Sequence, residues 1–253
     1  MRRFFRGQPF ILTIAVLLLL WHIAAVTVNK AFLPLPDTVG RAFLRLAETG
    51  LLWRHMAASL LRLFWAIIAG FFPAAIVGLI VGRSPRLKAL ISPFIYLIHP
   101  LPKAAFLPII MLFLGLGNAS KVFLLAFTIF SQVLIAARDA AERTPETSLL
   151  AVKSMGAGWF AVFRHVILPF ALPDLCTGLR VSLGTATAVL FLAETFATDA
   201  GLGYLIVDAW TRVAYPEMFA AILSLSLIGL LLFGMVDALE KVICPWKRRG
   251  ESL

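Results

Sequence analysis

Residues Arg138 to Pro173 read RDAAERTPETSLLAVKSMGAGWFAVFRHVILPFALP, the longest polar interruption in an otherwise apolar chain. Two short helices are legible in it. Thr144 is expected to cap the first, with Pro145 at the first helical position and Glu146 in the positive end of the dipole. Gly156 and Gly158 punctuate the chain, and a second helical piece is expected from Trp159 to Pro169. Across the pair, Leu149, Val152, Met155, Trp159, Phe163 and Val166 or Ile167 form an apolar stripe at helical spacing. A loop this short cannot bury that stripe within itself, so it calls for a partner's surface. An amphipathic linker lying on a membrane is the competing explanation.

The composition around this loop sets the class. Of 253 residues, 61% are hydrophobic and 14% charged, too apolar for a soluble domain of this length. Phe10–Val28, Leu63–Gly82 and Met218–Val236 contain no formally charged side chain. Each is long enough to cross a hydrocarbon core of about 30 Å at a rise of about 1.5 Å per residue. No cleavable signal peptide is expected, because the first apolar run is long and no small-x-small site follows.

Six spans are expected: Phe10–Val28, Leu60–Gly82, Ala89–Leu114, Val122–Ala137, Leu179–Thr198 and Met218–Val236. With both ends inside, the inner segments hold fifteen Lys or Arg: Arg2, Arg3, Arg6, Arg83, Arg86, Lys88, Arg138, Arg143, Lys153, Arg164, Arg180, Lys241, Lys247, Arg248 and Arg249. The outer segments hold six: Lys30, Arg41, Arg45, Arg54, Lys121 and Arg212. This asymmetry places the N- and C-termini in the cytosol and explains the net charge of +10 without a nucleic-acid partner. The chain divides into a cap, first span and external segment (1–58), a five-span core (59–240) containing the loop 138–173, and a basic tail (241–253). Cys176 and Cys244 lie on the inner side of this scheme and are expected to be reduced, inert thiols.

Between the first two spans, Asn29 to Ala58 is expected outside. Leu33-Pro34-Leu35-Pro36-Asp37 forms a rigid turn, and Asp37 or Thr38 starts an amphipathic helix. Arg54 and His55 are read as a solvated helix face, with contact to a docked partner as the alternative, and His22 as a buried histidine rather than a ligand. Arg62, at the outer end of the second span, is expected to snorkel.

The third span is unusual. It carries Pro93, Pro100, Pro102 and Pro108, and the run His99-Pro100-Leu101-Pro102-Lys103 must break a helix at membrane depth. Lys103 near its middle is either a group on a transport path or a lysine that meets the carbonyls freed at the kink. Thr128, Ser131 and Gln132 share one face of the short fourth span, where they can glue helices together or line a path. Thr187 and Glu194 complete the translocation-path candidates with His99 and Lys103, Glu194 being placed near the outer end with partial hydration.

Three stretches resemble one family. Leu150-Ala151-Val152, three residues, Gly156, nine residues and Val166-Ile167-Leu168-Pro169 look like the "EAA" loop of ABC-importer permeases, with Leu150 where the family has Glu and Val152 where it has Ala. His99 through Gly117 resembles that family's proline-rich span, with His99 in place of Arg. AETFATDAGLGYLI, Ala193 to Ile206, resembles its AExxxAxxGLGxLI pattern. The LPLP run and the helix after it are similar to the nitrate/sulfonate/taurine branch. The resemblance implies an all-α, six-span type I importer fold of the bacterial inner membrane, working as a homodimer. It implies two ATPase subunits that bind the ATP, an external solute-binding protein and a small anionic substrate such as nitrate, a sulfonate or taurine. It places ATPase coupling on Leu150, Ala151, Val152, Met155, Gly156, Trp159, Phe163, Leu168 and Pro169.

The chain has no Gly-x-x-x-x-Gly-Lys-Ser/Thr loop and no His-Glu-x-x-His, Gly-x-Ser-x-Gly or Cys-x-x-Cys sequence. Neither an enzyme nor a metal site is expected, and no cofactor is assigned to the chain itself. The alternative function is an ion-coupled secondary transporter using Lys103, Glu194 and the polar face of the fourth span.

Overall fold

A computed structural model describes residues 7–248. Among them every regular element is helical. The order is α1 Gly7–Val28, α2 Pro36–Glu48, α3 Leu51–Arg83, α4 Pro85–Ile98, α5 Leu107–Leu114, α6 Asn118–Glu142, α7 Glu146–Ser154, α8 Trp159–Val162, α9 Leu168–Glu194, α10 Leu202–Thr211 and α11 Tyr215–Ile243. Five helical runs are long and apolar enough to cross a membrane: α1, α3, α6, the run Trp159–Glu194 and α11. The basic N-terminal residues Arg2, Arg3 and Arg6, and Arg249 in the tail, lie outside the described residues.

The sixth expected span is a bent pair. α4 and the helical piece Lys103–Leu114 meet at 83° across residues 99–102. Pro100 and Pro102 supply no backbone donors there, so the helix stops and restarts through a short 3₁₀ turn, Lys103–Phe106.

The core is built on α3 and α6. Ala66, Gly70, Ala74, Gly78 and Gly82 recur every fourth residue of α3 and make a groove into which α6 sinks. A Cβ on Gly70 would lie 2.6 Å from the carbonyl oxygen of Ala126, and one on Gly78 2.5 Å from the Cβ of Ala137. The backbones therefore touch where lipid-like side chains would hold them apart. α9 joins the pair in the same way: Gly178 sits where a Cβ would be 2.6 Å from the Cβ of Ala136.

The peripheral helices are held by fewer contacts. α1 leaves Ile11 to Leu20 exposed, a lipid-facing surface, and is fastened by Trp21, which stacks on Phe219 at 5.7 Å and donates from Nε1 to the carbonyl of Pro34. Leu112 and Phe113 of α5 are likewise exposed.

Several boundaries differ from those expected. The external helix and the second span are separate only up to Gly50, whose positive φ of 78° turns the chain; from Leu51 the helix runs unbroken for 33 residues to Arg83. The fourth span extends to 25 residues, because polar Asn118–Lys121 and Arg138–Glu142 continue its helix at both ends. The external loop Ala200–Pro216 contains α10. Thr144 does not cap α7: Pro145 takes the N-cap position and the Thr144 hydroxyl instead donates back to Ala140.

Candidate functional site

Two arrangements at opposite ends of the bundle stand out. The first is the elbow made by α7 and α8. α7 ends at Ser154 and the chain turns at Gly156, whose φ of +81° is a left-handed conformation suited to glycine, while the Gly156 and Ala157 N–H groups return to Lys153 and Val152. The chain then enters α8 at Trp159 and widens into a π-helical turn, Phe163–Ile167, directly before Pro169. Pro169 has no N–H for the α-helical register, and the wider turn absorbs that defect.

The apolar stripe divides in two. Leu149, Val162 and Ile167 are buried against the bundle, and Val152, Phe163, Val166, Leu168 and Pro169 are half-buried. Leu150, Met155, Trp159 and Phe160 face outward, Met155 being 85% exposed, Trp159 62% and Phe160 67%. Trp159 stacks on Phe163 with ring centroids 5.4 Å apart. Ala151 and Gly156 are exposed as well. Beside the elbow lies a groove of about 510 Å³ whose walls include Ala151, Val152, His165, Val166, Pro169 and Trp246. Phe160 and Trp246 were not singled out in the sequence; Phe160 adjoins the stripe by helical spacing, whereas nothing in the sequence brings Trp246 here.

The second arrangement is a buried polar cluster where α3, α6, α9 and α10 meet. Glu194 is fully buried, and its Oε1 lies 2.6 Å from Nη1 of Arg62. Ser59 donates to the same carboxylate at 2.8 Å, and the Gly203 N–H donates to Oε2 at 2.9 Å. Arg62 also donates to Asn118 Oδ1 at 2.8 Å, to the Ala200 carbonyl at 2.7 Å and to Thr198 Oγ1 at 3.2 Å. Lys121, 1% exposed, donates to the carbonyls of Leu116 at 3.0 Å and Ala197 at 3.1 Å. His55 is buried too, its Nδ1 3.1 Å from the Gly201 N. Burying a charge is costly unless it is paired and hydrogen-bonded; Arg62 and Glu194 meet this as an ion pair, and Lys121 is held by carbonyl oxygens.

These positions correct three expectations. Arg62 does not snorkel outward but turns inward onto Glu194; Glu194 is not partly hydrated; and His55 is not on a solvated face, although Arg54 beside it is exposed. The glycines of the AETFATDAGLGYLI stretch acquire a physical role. A Cβ on Gly201, at φ +133°, would lie 2.6 Å from Nη1 of Arg62, and one on Gly203 2.6 Å from the Phe191 carbonyl.

The remaining path candidates are dispersed. Lys103 is buried and donates to the His99 carbonyl at 3.0 Å, closing the break that the prolines open; the His99 side chain is exposed. Thr128 and Ser131 are buried and donate to carbonyls of their own helix, as does the half-buried Thr187. Gln132 crosses from α6 to α9, where its Nε2 donates to Thr185 at 3.1 Å. Beyond the spans, Arg212 bridges Asp208 and Glu217, and hydrogen bonding to Asp208 first and Glu217 second raises the guanidinium above its ordinary value. Among the described residues no cluster of His, Cys, Asp or Glu could hold a metal ion.

Comparison with known proteins gives a consistent result. The family described as "Binding-protein-dependent transport system inner membrane component" matches residues 66–243. The chain is 34% identical over 241 residues to the taurine transport system permease protein TauC of Escherichia coli K12, covering 92% of this chain and 88% of that one. It is 28% identical over 240 residues to the putative aliphatic sulfonates transport permease protein SsuC of Bacillus subtilis 168, covering 94% and 87%. An inward-facing structure of the MetNI methionine ABC transporter superposes with a TM-score of 0.61 over 76% of this chain and 93% of that one, at 20% identity, which shows the shared fold. These findings fit the binding-protein-dependent reading and not the ion-coupled alternative. The chain thus belongs to the binding-protein-dependent transport system inner membrane component family and is a multi-pass permease subunit of an ABC importer.

Proposed function

We propose that this chain carries a small sulfonate such as taurine inward across the bacterial inner membrane, driven by separate ATPase subunits that grip the α7–α8 elbow. The observation that carries the proposal is the outward apolar set Leu150, Met155, Trp159 and Phe160 on the longest polar interruption of a membrane chain. Side chains of that size on a water-facing elbow lower their free energy by about 1.5–3 kcal/mol each when a partner buries them. Ala151, Val152, Gly156, Leu168 and Pro169 would shape that docking surface, with residues 59–240 as the transport core. ATP would be bound by the partner, and no cofactor by this chain.

The excess of Lys and Arg at the elbow end supports cytosolic N- and C-termini. An external binding protein would deliver the sulfonate at the α10 end. A second copy of the chain would complete the path, the exposed Leu112 and Phe113 being available to the pairing or to lipid. Gln132 with Thr185, and His99 at the break, offer hydrogen-bonding groups near such a path.

The test is uptake of labelled taurine by proteoliposomes holding the chain, its ATPase and its binding protein. ATP-dependent uptake that disappears without the binding protein is expected. Uptake by the permease alone along an ion gradient would overturn the proposal.

A further inference from the structure

The elbow and the buried cluster are the two ends of one helical run. From Trp159 the chain continues through the π turn and α9 without interruption to Glu194, a run of 36 residues, about 54 Å at the α-helical rise. Glu194 is its final residue. There the run is clasped to Arg62 of α3, and through the Gly203 N–H to α10.

The loop beyond Glu194 has little else to follow. Ala197 is held at a positive φ of 43°, and the loop backbone is fastened at the Ala197 and Ala200 carbonyls by Lys121 and Arg62, cations that belong to α6 and α3. α3 and α6 form one tightly packed block, because glycine notches bring their backbones into contact. The run is also packed against α6 lower down, at Gly178 and through Gln132 and Thr185, and the Arg62–Glu194 pair is the tie at its outer end, where the loop begins.

We propose that Arg62 and Glu194 are positioning residues of the transport cycle, a clasp that delivers displacement of the α7–α8 elbow to the α9–α10 loop. This rests on the permease reading above. The part assigned to the pair is mechanical: to make the outer loop respond to the inner elbow. A buried charge pair suits that role because it is strongly directional and has no water to replace a lost partner. Gly201 belongs to the device, since any side chain there would wedge the two charges apart.

The experiment uses the full complex of permease, ATPase and binding protein in proteoliposomes. An environment-sensitive label is placed on Asp199→Cys, a position 90% exposed on the outer loop. Two quantities are read: the change in label signal on trapping with ATP and vanadate, and the ratio of binding-protein-stimulated to unstimulated ATP hydrolysis.

In Glu194→Gln, Gly201→Ala and the neutral pair Arg62→Gln/Glu194→Gln, the ATPase should still co-purify at the parental ratio. The label signal should no longer change, and the stimulation should fall about tenfold, within the range usual for a lost coupling. If Glu194→Gln does not accumulate, Gly201→Ala, which keeps both charges, and the neutral pair carry the test. Assembled variants that keep the label change and the stimulation would show a fastening with no part in transmission and overturn the proposal. Absence of any ATP-driven signal in the parent would instead overturn the permease reading on which it rests.

Discussion

Removing the Glu194 carboxylate exposes the physics of the buried cluster most fully. Glu194→Ala leaves Arg62 charged and buried, with Asn118, Thr198 and the Ala200 carbonyl as its remaining partners. Breaking a buried pair from one side typically destabilises by about 3–5 kcal/mol. Ser59 and the Gly203 N–H lose an acceptor at the same time, each a penalty of about 1–3 kcal/mol when no water enters. These penalties share partners and do not add, so a loss of about 4 kcal/mol is expected, a large part of the roughly 5–15 kcal/mol that holds a domain together. Arg62→Ala should be comparably damaging, since it strands the carboxylate. The double variant Arg62→Ala/Glu194→Ala should be less damaging than the two single losses combined, by at least about 1 kcal/mol, because neither charge is then left unpaired. The assay is unfolding of the detergent-solubilised permease by steric trapping, which returns a free energy for each corner of the cycle. Single variants within about 1 kcal/mol of the parent and strictly additive effects would refute the reasoning, because that is the behaviour of a solvated surface pair.

Other outcomes follow from the same geometry. Gly78→Leu should prevent accumulation of folded protein, because the side chain must enter space held by Ala137 and the Leu134 carbonyl; Gly40→Ala, with nothing within 4 Å of the new Cβ, should fold like the parent. Detergent-extractable, monodisperse yield separates the two. Trp159→Asp combined with Phe160→Asp should leave that yield unchanged and abolish co-purification of the ATPase, since both side chains point outward; retention of the ATPase would remove the elbow from the docking surface. Lys103→Met should lower stability by about 1 kcal/mol, the net worth of one hydrogen bond, and leave the KM for taurine uptake within about twofold. A tenfold rise in KM would instead put the lysine on the anion's route.

How much of this was legible depended on whether the signal was local. The elbow could be read because its determinants are neighbours in sequence: Pro145, Glu146 and Gly156 mark α7 and its end, although the second piece does not stop at Pro169 but runs on to Glu194. The break at His99–Pro102 was legible for the same reason, as prolines act on their own backbone. The bend of 83° was not, because it depends on the packing of both arms. Helix ends were underestimated wherever polar residues continue a span, as at Asn118–Lys121, since hydropathy marks the hydrocarbon depth and not the end of hydrogen bonding. The buried cluster was hidden because Arg62 and Glu194 are 132 residues apart and each, alone, suggests the membrane surface. A local hint did exist: His55, Ser59 and Arg62 recur at helical spacing on one face of α3, and Gly201 and Gly203 follow Glu194 closely. The four-residue recurrence from Ala66 to Gly82 was equally available and marks the face that α6 occupies.

The most direct measurement is site-specific cross-linking from the elbow in native membranes. A photoreactive residue in place of Met155, which is 85% exposed, should form an adduct with an ATP-hydrolysing subunit, with a yield that changes on nucleotide trapping. Adducts with lipid alone, at a yield indifferent to nucleotide, would contradict the account that this permease is driven through α7 and α8.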